Sequence, residues 1–327
     1  MKNIPALLLF ILCASALLLG ACSPAVPAET EVFGSEPAVS QTAVPVFTET
    51  AAPEEPPVAT EAVAETEPAV EPGQLSFQEF DHQISLVIPP ALAANTEAVT
   101  QAALEPSPDI MYVDTNPAHL RIRLREYAGG QAYQLPYPLP AAQIAVFSTE
   151  GFAVYGAEQP TGYTAQLQAL QDLLQAGLAP DVCSRTVSDR EPTETGNFLP
   201  FLPWLNSAQV FCAQPEIIEF EGGQGVRYLT YFSQGLNPWL DTELFYTFQG
   251  VTDDGELYVS AVLPVRSGLL PVEPPELSLN CMDPSEQEAC KASLNEQLQQ
   301  LNGQAGEAFN PTLAELDGVI RSLVVTK

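Results

Sequence analysis

Residues 24–73 form an acidic, proline-rich segment, and this segment decides how much of the chain is able to fold. It contains no Lys or Arg, only two Phe, and runs such as Glu54-Glu55-Pro56-Pro57. A segment of this composition buries too little apolar surface to offset the conformational entropy lost on folding, and its prolines interrupt helices and sheets. We therefore expect a disordered tether over residues 22–73 and a folded part over residues 74–327.

The tether has a large reach. Proline-rich chain near polyproline II rises about 3.1 Å per residue, so a segment of some 50 residues extends up to roughly 150 Å. That length is enough to cross a cell-wall layer. The alternative is that the acidic segment is a binding tail for a basic partner.

The amino terminus carries an apolar run that ends shortly before the tether. After Met1-Lys2-Asn3 the chain is almost free of polar side chains from Ile4 to Leu19. A short cationic stretch followed by an apolar stretch is typical of a secretory signal peptide. The run up to Ala21 is close to the lower limit of about 17 to 20 residues for a spanning helix, and no basic cluster follows it. The sequence therefore predicts a cleaved signal peptide over residues 1–21.

The cleavage region Leu19-Gly20-Ala21-Cys22 resembles the lipobox of bacterial lipoproteins, a likeness that covers the first 22 residues. The resemblance implies diacylglycerol on the Cys22 sulfur, cleavage before Cys22, and usually a further acyl chain, such as palmitate, on the new amino terminus. Two or three chains at about 0.8 kcal/mol per buried CH₂ anchor a protein stably, whereas one chain is marginal. Ser23 stands where the family's inner-membrane retention signal has Asp, which favours an outward-facing surface. The alternative is an ordinary secretory peptide cut nearby.

The folded part shows mainly strand patterns and no internal linker or repeat, so we expect one domain over residues 74–327. Alternating or continuous apolar residues predict strands at 83–88, 119–125, 142–148, 208–213, 217–221, 225–233, 243–251 and 256–264. Glycine and Asp/Gly turns at 222–225 and 252–255 predict hairpins. Short connections of this kind favour antiparallel pairing.

Three segments predict helices. Leucines at helical spacing indicate a mid-chain helix over residues 164–177, with Thr164 as the N-cap. Asp283-Pro284 and Asn310-Pro311 predict the starts of two C-terminal helices, which end near Leu301 and Leu323. The predicted fold class is α+β, a mostly antiparallel sheet with the mid-chain helix and the two C-terminal helices packed on it. This order of elements resembles the photosystem oxygen-evolving P-subunit-like fold.

The cysteines indicate an oxidising compartment. Cys13 leaves with the signal peptide and Cys22 carries lipid, which leaves an even number in the folded part: Cys183, Cys212, Cys281 and Cys290. An even count in an exported protein predicts two disulfides. Three connectivities are open, and pairing of sequence neighbours closes the shortest loops. A zinc site formed by the four cysteines is the alternative, although the CxxC spacing typical of such sites is absent.

The charge and the scarcity of histidine limit the function classes. A formal net charge of −30 opposes binding to nucleic acid or to anionic lipid headgroups, because both repel it. The chain has two histidines, His82 and His119, and lacks GxSxG and HExxH motifs. We therefore predict no catalytic residue, no metal site and no cofactor, and we expect His82 to be a surface residue. Glycoside hydrolysis by a pair of carboxylates stays a possible function, because acidic residues are abundant.

One strand concentrates positive charge. His119, Arg121, Arg123 and Arg125 alternate with apolar residues, and the chain has only 11 basic residues against 41 acidic ones. Three guanidinium groups on one strand face are able to hold an anion such as a phosphate or an acidic sugar. The favoured interpretation, however, is that they pair with Glu or Asp on neighbouring strands.

An apolar segment punctuated by proline occupies residues 197–205, between Cys183 and Cys212. It carries Phe198, Phe201 and Trp204, and its prolines argue against a central strand. The favoured interpretation is a flap over the core. The alternative is an exposed apolar surface that contacts a ligand or partner.

Together these features predict a lipid-anchored extracytoplasmic envelope protein whose folded domain is a non-catalytic binding or assembly module. The membrane is its partner through the lipid anchor, and a glycan, a small molecule or another envelope protein is the kind of ligand it would bind. A secreted-side hydrolase that uses carboxylates is the alternative function. A purely structural envelope component is a third.

Overall fold

The computed structural model describes most of the predicted folded part. The described residues are 73–107, 115–130, 141–156, 162–190, 196–235, 239–273, 281 and 283–327. All of them belong to one compact unit, Thr66–Lys327. The predicted signal peptide, the lipid attachment at Cys22 and the tether up to residue 72 lie outside the described residues.

Seven strands form the main sheet, and every neighbouring pair is antiparallel. They are β3 (Ala93–Gln101), β4 (His119–Tyr127), β5 (Gln143–Ser148), β6 (Ala208–Phe220), β7 (Gly223–Ser233), β8 (Phe245–Thr252) and β9 (Leu257–Pro264). Their spatial order is β3-β4-β5-β9-β8-β7-β6. Strands β8 and β9 are buried along their whole length, which explains why their sequences are apolar on both faces.

A second, smaller sheet brings the two ends of the folded part together. It has the order β1-β2-β10 and consists of β1 (Gln74–Glu79), β2 (His82–Val87) and β10 (Val324–Thr326). β10 also contacts the β6–β7 turn, where the Val325 amide donates to the Glu221 carbonyl over 2.8 Å. A Cβ atom at Gly222 would lie 2.1 Å from the Val325 carbonyl oxygen, so this turn needs glycine for the C-terminal strand to pass.

Three α-helices accompany the sheets in the described residues: α1 (Tyr163–Ala176), α2 (Gln287–Gly303) and α3 (Leu313–Arg321). One helix is mid-chain and two are C-terminal, as predicted, and the antiparallel pairing is confirmed. Strand is more abundant relative to helix than the α+β prediction implied. None of the helices in the described ranges is long and apolar enough to cross a membrane.

The predicted N-caps were each displaced by a few residues. The N-cap of α1 is Gly162 and that of α2 is Glu286, while the Asp283 carboxylate instead accepts from the Ser285 amide in the preceding turn. Asn310 does not cap α3, because its backbone pairs with Arg266 through two hydrogen bonds of 2.9 Å. Thr312 is the cap, and it exchanges hydrogen bonds with Glu315 in a capping box.

Both faces of the main sheet are covered. On one face the core includes Leu298 of α2 and Leu316 of α3 together with residues of the small sheet. On the other face, Leu170 of α1 packs with Leu199 and Leu202 of the proline-rich segment. The central strands of the main sheet therefore lie between two apolar layers, an arrangement that needs helices or loops on both sides.

Both disulfides join sequence neighbours. Cys183 pairs with Cys212 across a separation of 29 residues, with their Cα atoms 4.9 Å apart. Cys281 pairs with Cys290 across 9 residues, with a Cα distance of 5.4 Å. The prediction of two disulfides is confirmed. Of the three connectivities that the sequence left open, the chain has the local one, and the four cysteines do not form a zinc site.

Candidate functional site

The regular alternation of β4 divides its side chains between two faces of the main sheet. Leu120, Ile122 and Leu124 enter the core on one face. The intervening residues Arg121, Arg123 and Arg125 lie on the opposite face at intervals of two residues. We call these three arginines, with the cross-strand Glu97, the arginine face. Two residues of antiparallel strand rise about 6.8 Å, so the three Cα atoms span about 14 Å.

Glu97 of β3 is the one carboxylate that the arginine face contains among the described residues. It stands directly opposite Arg123 in the register, while Asn95 and Val99 stand opposite Arg125 and Arg121. The Arg125 Nε atom donates to Glu97 Oε2 over 3.0 Å, and a second guanidinium N–H of Arg125 reaches the same oxygen. This hydrogen bond, followed by the charges of the three arginines, lowers the pKa of the Glu97 carboxyl.

The arginine face therefore carries more positive than negative charge. Arg121 is half-buried, and its Nε atom has no hydrogen-bond partner in the described part of the chain. Burial lowers the pKa of the Arg121 guanidinium, and the neighbouring charge of Arg123 lowers it further. Like charges two residues apart on one strand face repel. An anion placed over the face would relieve this repulsion.

His119 belongs to the same strand face but differs from the arginines. Its side chain is buried, its ring lies 4.8 Å from that of Phe147, and its Nδ1 atom lies 2.9 Å from the Pro117 carbonyl. A carbonyl only accepts, so Nδ1 carries the proton. Burial lowers the pKa of His119, and the charge of Arg121 adds to this. His119 is thus neutral near pH 7 and adds no charge to the arginine face.

The proline-punctuated residues 197–205 lie over the sheet as a flap. Phe201 is buried against Phe232 and Phe245, with ring centroids 4.5 and 5.8 Å away. It therefore has no surface to offer a ligand. Phe198 is half-buried, and the Arg190 guanidinium lies 3.7 Å from the centroid of its ring.

Three buried glutamines hold the flap. This role of the glutamines was not predicted from the sequence. Their amide groups replace the strand partners that the flap backbone lacks, since proline-broken chain cannot join a ladder. Gln166 accepts from Phe201 N, Gln209 accepts from Phe198 N and Leu199 N, and Gln249 accepts from Leu202 N and donates to Leu202 O, over 2.6 to 3.0 Å. Gln166 lies on α1, Gln209 on β6 and Gln249 on β8.

Trp204, at the far end of the flap, is half-buried and lines an open cavity. The cavity measures about 630 Å³ and is also lined by Asn197, Asn206 and Gln234. An aromatic ring beside amide groups is a combination that binds sugars through stacking and hydrogen bonds. Of the three predicted apolar contact residues, Trp204 lines this cavity, and Phe198 lines a second cavity of about 640 Å³ together with Asn197 and Arg190.

His82 was predicted to lie on the surface, and this prediction is wrong. Its side chain is 2% exposed, because it sits where the β1–β2 turn meets the β8–β9 turn. Its Nδ1 atom lies 2.6 Å from the Phe80 carbonyl and its Nε2 atom 2.9 Å from Asp254 Oδ2. Burial alone would lower the pKa of His82, but the hydrogen bonds to Asp254 and Phe80 outweigh it and raise the pKa.

The chain was compared with protein-family models, curated proteins and solved structures, and nothing matches it. The likeness of the folded part to the photosystem P-subunit-like fold and the lipobox assignment therefore stay predictions.

Proposed function

We propose that this chain is a lipid-anchored extracytoplasmic envelope protein whose folded domain binds an anionic glycan without catalysis. Acyl chains on Cys22 would hold it on the membrane, and the tether over residues 22–73 would extend the domain away from the surface. The lipobox-like Leu19-Gly20-Ala21-Cys22 and the two disulfides support the address, since disulfides persist in oxidising compartments.

The observation that carries the binding proposal is the charge of the arginine face. Three guanidinium groups share the single carboxylate of Glu97 among the described residues, in a chain of net charge −30. Guanidinium groups bind carboxylates and phosphates through paired, charge-assisted hydrogen bonds. Their intervals of about 7 Å along the strand suit a linear polymer with repeated negative charges better than one small anion.

The hydrolase alternative has less support. The three buried carboxylates in the described residues have structural partners: Asp241 accepts from Ser267, Glu243 from Tyr231, and Asp317 from Tyr246 beside Arg227. A glycosidase instead needs two carboxyl groups facing each other across a substrate cleft. A purely structural role would leave the arginine face without a ligand.

Binding is tested with oligogalacturonates of increasing length, whose repeated carboxylates probe the arginine face. We expect affinity to rise with length up to the span of the three arginines and to fall with added salt. Arg121→Gln, Arg123→Gln and Arg125→Gln should each weaken binding about two- to tenfold.

Arg321→Gln is the matched control, because Arg321 lies on α3 and its side chain is 51% exposed, close to the 53% of Arg125. It removes one positive charge from the chain without touching the arginine face, so binding should be unchanged. Equal binding by the wild type and the triple arginine variant would refute the proposal. Loss of binding in Trp204→Ala alone would move the site to the flap cavity.

The lipid anchor is tested separately. Cys22→Ser should release the protein into the medium or leave an uncleaved precursor. If the variant partitions into detergent to the same extent as the wild type while its signal peptide has been removed, the lipid anchor is wrong.

A further inference from the structure

We propose that His82, Asp254 and Glu256 form a binding site for one divalent transition-metal ion of the Zn²⁺ type. With Lys327, these residues form what we call the His82 cluster. The sequence predicted no metal site. The inference does not depend on the proposed glycan binding.

The donor atoms of the three residues already converge. One ring nitrogen of His82 and one carboxylate oxygen each from Asp254 and Glu256 lie within 4.8 Å of one another. Zinc binds imidazole nitrogen and carboxylate oxygen at about 2.0 to 2.2 Å, so donors around one ion are at most about 4.4 Å apart. His82 Nε2 and Asp254 Oδ2 are already 2.9 Å apart, and a small rotation of Glu256, whose side chain is 54% exposed, brings its oxygen within this distance.

Hydrogen bonds to residues outside the site fix the orientation of two ligands, His82 and Asp254. His82 Nδ1 donates to the Phe80 carbonyl, so Nε2 is the ring atom that points at the carboxylates. Asp254 Oδ1 accepts from Thr252 Oγ1 over 2.7 Å and from the Glu256 amide over 3.0 Å, which leaves Oδ2 for the cluster. Metal-binding histidines and carboxylates are held by outer hydrogen bonds of this kind.

Two cationic groups occupy the cluster. Both ring nitrogens of His82 face oxygen acceptors, so the ring carries two protons and a positive charge. The Lys327 Nζ atom lies 2.7 Å from Glu256 Oε1 and 3.4 Å from Asp254 Oδ2. A divalent ion would replace the Nε2 proton of His82 and displace the Lys327 ammonium, which is 56% exposed and free to swing into water.

The donor set selects the kind of metal. Imidazole suits zinc and its neighbours in the first transition row, whereas calcium and magnesium prefer all-oxygen sites with more ligands. One nitrogen and two oxygens leave a fourth tetrahedral position for water. The bound ion would join the β1–β2 turn to the β8–β9 turn, which are far apart in sequence.

The site is tested by titrating the full mature chain, without a histidine tag, with ZnCl₂ in a calorimeter. We expect one saturable ion per chain. Glu256→Gln and Asp254→Asn should each weaken zinc binding at least tenfold. Lys327→Gln should tighten it several-fold, because it removes the competing ammonium. Asp253→Asn is the matched control, since Asp253 is an exposed carboxylate in the same turn but outside the cluster.

Labelling both histidines with ¹⁵N gives a readout that does not require a His82 variant to fold. Zinc should shift the ring nitrogens of His82 and leave those of His119 unchanged. Equal weakening by Asp253→Asn and Asp254→Asn would show that zinc binds only to general acidity and would overturn the site. So would unchanged His82 signals at saturating zinc, or binding that Lys327→Gln leaves unaltered.

Discussion

The two disulfides differ in loop length while their cysteines are similarly buried, so they allow a sharp test of how they stabilise the fold. The Cys183–Cys212 pair closes 29 residues and the Cys281–Cys290 pair closes 9. In the chain-entropy relation these loops correspond to about 3.6 and about 2.6 kcal/mol of stabilisation. All four cysteines are buried, with at most 6% exposure, so the packing lost on replacement is comparable. We therefore expect a difference of about 1 kcal/mol between the two removals.

The assay compares two double variants, Cys183→Ala with Cys212→Ala and Cys281→Ala with Cys290→Ala. Urea unfolding of both in the Cys22→Ser background should place the first midpoint lower by about 0.4 M, given a slope near 2.5 kcal/mol/M. The slopes should be equal if the unfolded chains expose similar surface. A larger loss from the 9-residue loop, or equal losses, would refute loop entropy as the source of the stabilisation.

Three further changes test local contacts. Hydrogen bonds from Thr186, Asn295 and Lys291 outweigh burial and lower the pKa of Asp189. Asp189→Asn should therefore lower the free energy of unfolding by about 1 kcal/mol at pH 7. In urea unfolding, this difference from the wild type should vanish as the pH falls below 3.8, because Asp189 then becomes protonated. Thr312→Ala should cost about 1 kcal/mol by removing the α3 cap, and Thr312→Ser should restore it in thermal unfolding. Gln209→Ala should speed amide hydrogen exchange in the flap over residues 197–205, and an unchanged flap exchange rate would contradict its role.

The strands that the sequence revealed are those with a strong apolar signal. The patterns at 119–125 and 256–264 became β4 and β9 with ends shifted by no more than two residues. The two patterns at 208–213 and 217–221 merge into β6, because the register shifts between Ala213 and Glu216 and the strand continues past the irregularity. A bulge of this kind interrupts alternation without ending a strand.

The missed strands lack that signal for a physical reason. β3 is an edge strand whose side chains are mostly exposed, so its sequence AANTEAVTQ needs no apolar face. β1 is only half-buried, and β10 has three residues, too few to show a period. These strands form because an adjacent strand supplies hydrogen-bond partners. The residue pattern of a single strand does not show which other strand lies next to it.

The two candidate sites differ in whether the sequence alone can reveal them. The arginines of β4 are two residues apart, so their common face follows from strand geometry alone. His82 and Asp254 are 172 residues apart, and their contact depends on how two turns pack. The local sequence around His82 contains Asp81, yet the carboxylate that reaches the ring belongs to the turn at Asp254. The spacing of residues along the chain does not predict such a contact.

The abundance of acidic residues makes the arginine face informative. With 41 carboxylates against 11 basic residues, an arginine that serves only stability has many candidate partners. The buried Arg227 shows this, since Glu216 lies 2.7 Å and Asp317 3.4 Å from its guanidinium. Opposite β4, however, the register places Asn95, Glu97 and Val99, which give three arginines one carboxylate in the described residues. In the part of the chain that the structure describes, β4 thus carries more positive charge than its neighbours neutralise, and this imbalance is the basis of the anion-binding proposal.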